Sequence, residues 1–164
     1  MIPAVAFLLS THETHDRLVD EVAQRLPMAG WHRAVGVANP PVWLVGHLAA
    51  CRRETLRIIG GSCKDKPWER LFHEGHPPTP PTIQGRDLAQ DYIAIGRLLV
   101  TRLQSLGQLD LDAVFAGGWW DGPHTMEGFL QFRYWHEAYH AGQLAFAERA
   151  GAVSACHGLA KPNP

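Results

Sequence analysis

Thr125-Met126-Glu127-Gly128-Phe129-Leu130-Gln131-Phe132-Arg133-Tyr134-Trp135-His136-Glu137-Ala138-Tyr139-His140-Ala141-Gly142-Gln143-Leu144-Ala145-Phe146-Ala147-Glu148-Arg149-Ala150 is the stretch from which the fold is read. It contains no proline, and an apolar stripe that includes Phe129 and Phe132 and, further on, Leu144 and Ala147, each pair three apart, predicts one long amphipathic helix. Thr125 serves as its N-cap, Glu127 complements the helix dipole in the first turn, and Gly151 is the expected C-cap after Ala150. His136 and His140, four apart, share a helix face with Cβ atoms roughly 5–6 Å from each other. The apolar stripe turns them toward the interior or its edge. Burying two imidazoles there is unfavourable unless hydrogen bonds or a metal ion satisfy them, and the spacing alone leaves both readings open.

Three further helices follow from the same rhythm. The first runs from Pro3 to Leu26 and is stopped by Pro27; Val5, Leu8, Val19, Val22 and Leu26 form its stripe, with His12 and His15 on the same face. The second opens with Asn39 as N-cap and Pro40 in the first helical position, and ends at Gly60-Gly61. On it His47 sits among Leu44, Leu48 and Cys51. The third spans Gly85 to Leu106, with Leu88, Tyr92, Ile95, Leu99 and Leu103 on its buried side. No segment reads as a strand. The intervening stretches, one with Pro67, Pro77, Pro78, Pro80 and Pro81 and one with Gly117, Gly118, Trp119, Trp120, Gly122 and Pro123, read as long loops. Trp119, Trp120 and Trp135 are expected to close the core. The expectation is a single domain over residues 1–164, all-α, a four-helix bundle with long loops after helix 2 and helix 3.

Composition narrows the function. A chain of 164 residues with 46% hydrophobic side chains buries a core without disulfides. The formal net charge of -1, with basic residues scattered, argues against a nucleic-acid-coating role. Met1 to Leu9 is apolar but too short for a membrane span and lacks the basic region of a secretory signal. Cys51, Cys63 and Cys156 are odd in number and never spaced C-x-x-C, so a reducing cytoplasm is expected. Ten histidines are many for such a chain, and His is the commonest side-chain metal ligand.

His136-Glu137-Ala138-Tyr139-His140 also satisfies H-E-x-x-H, the helical zinc-protease signature, with Glu137 as the general base. Its context does not follow. The glycine and histidine slots of the extended signature hold Gln143 and Phe146, the one downstream glutamate is Glu148 on the same helix, and no strand is available to hold a peptide. Glu137, about 100° round the helix from His136, is expected at the surface or an interface.

Taken together, Val45-Gly46-His47-Leu48-Ala49-Ala50 and His136-Glu137-Ala138-Tyr139-His140-Ala141-Gly142-Gln143-Leu144 resemble the DinB-like superfamily of four-helix-bundle metalloenzymes, over nearly the whole chain. The resemblance implies a divalent metal, Zn or Ni, held by His47, His136 and His140. It also implies a homodimer and, for characterised relatives, transfer of bacillithiol, mycothiol or glutathione-like thiols, or a mycothiol-dependent isomerisation. The superfamily's name does not bring a DNA-binding role with it.

Three neutral imidazoles leave an ion its full charge and open positions, the layout of a catalytic rather than a closed structural site. Such a site supports attack by a thiolate or by hydroxide. The expectation is therefore a metal-dependent transferase adding a low-molecular-weight thiol to a small electrophile. The alternatives are a metal-dependent hydrolase or a non-catalytic helical binding protein with structural histidines. Pocket-lining or supporting roles are assigned to His12, His15, Cys51, Tyr139 and Gln143. Arg133 is a further supporting candidate, while His32, His73, His76, His124 and His157 rank below all of these.

Overall fold

Proline and glycine set the ends of the helices. In the computed structural model, which describes residues 2–35, 39–73, 82–117 and 123–158 (the side chains of 151–158 excepted), five α-helices follow one another. They are α1 (Pro3–Arg25), α2 (Pro41–Ile58), α3 (Gly85–Gln104), α4 (Gln108–Asp112) and α5 (Met126–Gly158). Two 3-10 turns, Met28–Gly30 and Glu69–Phe72, lie in the connections. Trp119, Trp120, His76 and the side chains of Cys156 and His157 lie outside the described residues.

Two boundaries and the number of helices differ from expectation, and α1 and α3 end one and two residues early, at Arg25 and Gln104. Helix α2 begins at Pro41 with Pro40 as its extended cap (φ -64°, ψ 152°), one residue later than expected. The physical cause is Pro41 itself, whose ring disfavours helical backbone at the residue before it. Helix α5 does not stop at Gly151 but continues to Gly158. One interior glycine costs only about 1 kcal/mol, and no proline follows until Pro162. The expected count of four becomes five because α4 forms within the connection after α3, where the Asp110 carboxylate accepts the Gly107 N–H at 2.7 Å and Leu111 buries itself in the core.

The all-helical expectation holds. Among the described residues there is no strand, only an isolated bridge between Val114 and Thr125. Helix α1 packs on α3 and α5, and α2 packs on the same two, so α1 lies diagonally opposite α2, and α3 opposite α5. Among the described residues no helix is long and apolar enough to cross a membrane.

The interior divides into two apolar clusters. One gathers Val22, Trp31, Leu44, Leu48, Phe72, Tyr92 and Leu144, the other Leu8, Leu56, Ile95, Leu99, Leu130 and Tyr134. Between the two stretches that each helix contributes, α1 places His12 and His15, α2 Arg52 and α5 Glu137, all buried. A polar layer therefore crosses the bundle. Trp135, expected in the core, is instead 64% exposed, because it lies on the solvent side of α5 while Tyr134 faces inward.

Candidate metal centre

His47, His136 and His140 come together, each offering a ring nitrogen, with all three nitrogens within 4.8 Å of one another. The connection after α2 prepares the first. Arg57 clamps Glu69, and Arg53 holds both the Lys64 carbonyl and Asp91, so the turn Glu69–Phe72 is fixed against α2. The Phe72 carbonyl then accepts the His47 Nδ1–H at 2.7 Å. Gly46, just before His47, makes this possible: a Cβ there would lie 2.5 Å from the Phe72 ring. Trp43, one turn earlier, stacks on the His47 ring at 4.7 Å and 9°.

Helix α5 supplies the other two. Gln143 lies three residues beyond His140 and accepts its Nδ1–H at 2.8 Å. With Nδ1 protonated on both rings, His47 and His140 turn bare Nε2 atoms toward His136 Nε2, at 3.4 and 3.1 Å. One proton on His136 Nε2 can be donated across only one of these two gaps, and the ring across the other receives no donor from His136; for His47 the other donor at hand is the Cys51 thiol, 3.6 Å away. A cation satisfies all three at once, and the separations suit nitrogens sharing one ion at about 2.0–2.1 Å.

The electrostatics point the same way. Burial pushes the His136 imidazole down to about 3, helped by the neighbouring His140 and His47. Burial likewise takes His47 to about 4 against the raising effect of the Phe72 carbonyl, and lowers His140. The donors are neutral at neutral pH, so protons do not compete with a metal.

The remaining candidates divide between this cluster and elsewhere. Gln143 belongs to it through His140. Cys51 Sγ lies 3.6 Å from His47 Nε2, but burial pushes its thiol up to about 11, leaving it un-ionised. Tyr139 is 56% exposed and touches His140 only ring edge to ring, at 5.1 Å. Arg133 caps the neighbourhood by donating to the Cys51 carbonyl and Thr55 Oγ1. His12 and His15 do not reach the three histidines. They belong to the polar layer, where His12 Nδ1 and the Tyr134 hydroxyl are hydrogen-bonded at 3.0 Å.

The centre of that layer is Glu137, and here the expectation of a surface carboxylate fails. Its side chain is buried and accepts from Arg52 Nε at 3.1 Å and Nη2 at 2.6 Å, from His15 Nδ1 at 2.9 Å and from the Tyr92 hydroxyl at 2.7 Å. Arg52 also binds Asp16, and its guanidinium lies 3.6 Å over the Tyr92 ring. Burial works against the Glu137 charge, but Arg52 and the His15 hydrogen bond outweigh it and hold the carboxyl well below its ordinary 4.5. A carboxylate so engaged is not free to act as the general base of a zinc protease. The missed signal was a period: Leu130, Tyr134, Glu137, Ala141 and Leu144 form the inward stripe of α5, and His136 and His140 stand half-buried at its edge.

These shifts set a pH dependence. His12 (burial first, then the Arg52 charge, to about 3), His47 and His136 all have folded values below the ordinary 6.5, so the unfolded chain binds more protons in that window. Their effect on stability is absent above pH 6.5 and unfavourable below it. Glu137 adds to this below pH 4.5, since the stability it contributes is present above that value and lost as the pH falls toward its depressed folded one. The metal-free protein is expected to lose stability continuously from pH 7 to pH 4, measured as the urea midpoint; a flat profile contradicts the depressed imidazoles.

Compared with protein families, residues 11–144 match the DinB superfamily. No curated protein matches the chain.

Proposed function

The chain belongs to the DinB superfamily, and from that premise we propose that it is a metal-dependent enzyme acting on a small molecule, with His47, His136 and His140 holding one divalent ion. The observation that carries this reading is the convergence of three Nε2 atoms, two of them on rings whose Nδ1–H is already engaged by the Phe72 carbonyl and by Gln143. Hydrogen bonds of this kind orient metal-binding imidazoles and select the tautomer. When bound, a divalent ion draws a coordinated thiol or water toward its anionic, nucleophilic form at neutral pH.

The reaction is read as transfer or addition of a low-molecular-weight thiol to an electrophilic substrate, with Zn or Ni as the ion. One feature of the chain supports a thiol over water. Glu137, the carboxylate beside His136, is engaged by Arg52, His15 and Tyr92 and is not free to accept a proton from water. A homodimer in the cytoplasm completes the proposal, the dimer from the family and the compartment from unpaired cysteines.

The test loads the protein with Zn or Ni and follows a model electrophile with and without added thiol. Turnover that requires the thiol is expected. Turnover without it favours a hydrolase, and metal-loaded protein inert in both assays favours a binding protein.

A further inference from the structure

Glu137 is bonded from every other long helix: from His15 of α1, from Arg52 of α2 and from Tyr92 of α3. Three of these four bonds are 2.9 Å or shorter, and three converge on a single oxygen, Oε1. The layer is built closely enough that α3 must offer Gly96 opposite it: a Cβ there would lie 2.3 Å from Arg52 Nη1 and 2.8 Å from His12 Nε2. His136 is the next residue along the chain, and His47 stands five residues before Arg52 on the helix that faces it.

Apolar side chains alone specify the register between two helices loosely, because one methyl group packs much like another. Charged hydrogen bonds have direction and short range, and buried polar groups are known to fix register between helices. Register is what three ligands from two helices need: one residue of slip moves a helix by 1.5 Å and turns it by 100°, whereas metal–ligand distances tolerate about 0.2 Å.

We propose that Glu137 is a positioning residue for the metal centre, setting the height and rotation of α5 against α2 so that His136 and His140 meet His47. This rests on the metal-binding reading of the three histidines. The glutamate of H-E-x-x-H is thereby assigned a structural rather than a proton-transfer role, turned away from the ion and into the bundle.

The experiment titrates cobalt(II) into metal-free wild-type protein and into Glu137→Gln, Glu137→Asp and Tyr92→Phe, at a temperature far below the melting point of each. Affinity and the visible absorption of the bound cobalt are read together with thermal melting in the absence of metal. Glu137→Gln keeps the length and loses the charge, Glu137→Asp keeps the charge and shortens the reach, and Tyr92→Phe removes one hydrogen bond from a helix that carries no ligand.

For the folded variants at Glu137 the expected result is a loss of cobalt affinity of about tenfold or more, the range found for residues that support metal ligands, with an altered visible spectrum. Tyr92→Phe, the variant least disturbed in fold, shifts both in the same direction by less. Affinities within about twofold of wild type with an unchanged spectrum, and melting points that alone move, overturn the proposal and leave Glu137 a stabilising residue only. Wild-type protein that takes up no cobalt overturns the metal reading itself, and this proposal with it, before any variant is compared.

Discussion

Replacing His136 with alanine is expected to reduce bound divalent metal from about one ion per chain to essentially none, measured by elemental analysis after loading with Zn or Ni and removal of excess. His136 Nε2 lies between the other two donors, 3.4 Å from His47 and 3.1 Å from His140, so its loss leaves two imidazoles without the nitrogen that bridges them. An ion that binds only the folded chain, at a thousand times its dissociation constant, is expected to stabilise wild-type protein by about 4 kcal/mol. The thermal midpoint of wild type therefore rises on loading and that of His136→Ala does not. Equal metal content in the two proteins removes His136 from the site. Absence of metal from both makes the three histidines structural.

Arg52→Ala is expected to be the most destabilising single substitution in the polar layer. Arg52 is about 1% exposed, and it makes a bidentate ion pair with Glu137 while also binding Asp16. Burial opposes its charge, but Glu137, Tyr92 and Asp16 more than offset this and keep it protonated. Truncation leaves the Glu137 carboxylate buried without its counter-ion, which costs about 3–5 kcal/mol. Against a total stability of about 5–15 kcal/mol, the melting point falls by about 6–20 °C. Differential scanning calorimetry of metal-free protein checks this. A loss under about 1 kcal/mol would mean that the pair is as weak as an exposed one.

Much of the architecture is legible along the chain because helices advertise themselves by period. The stripe of α3, Leu88, Tyr92, Ile95, Leu99 and Leu103, is buried throughout, and so is that of α1 from Val5 to Leu26 with His12 and His15 in it. The Thr125 cap is also present, its hydroxyl accepting the Gly128 N–H at 3.1 Å. Helix ends were less legible. Whether Pro40 or Pro41 opens α2, or Gly151 closes α5, depends on differences of about 1 kcal/mol in backbone preference. Helix α4 escaped notice because five residues carry too little periodicity to register.

The candidate site was legible as residue types and unreadable as partnerships. His136 and His140 at i and i+4, with His47 on an apolar stripe, pointed to one cluster, since helical spacing alone brings two of them together. The roles of Gly46, Phe72 and Gln143 depend on which atoms meet. A carbonyl 25 residues from His47 carries no side-chain signature.

What the sequence by itself determined is therefore the helical class, the inward stripes of α1 and α3 and the three-histidine set, because these follow from local periodicity and side-chain chemistry. Only the tertiary structure decided that Glu137 is a buried anion rather than a surface group or a base, and that His12 and His15 serve the polar layer rather than the three-histidine cluster. One residue along a helix is a turn of 100°, and whether that turn leads to solvent or to the core depends on which face the other three helices cover.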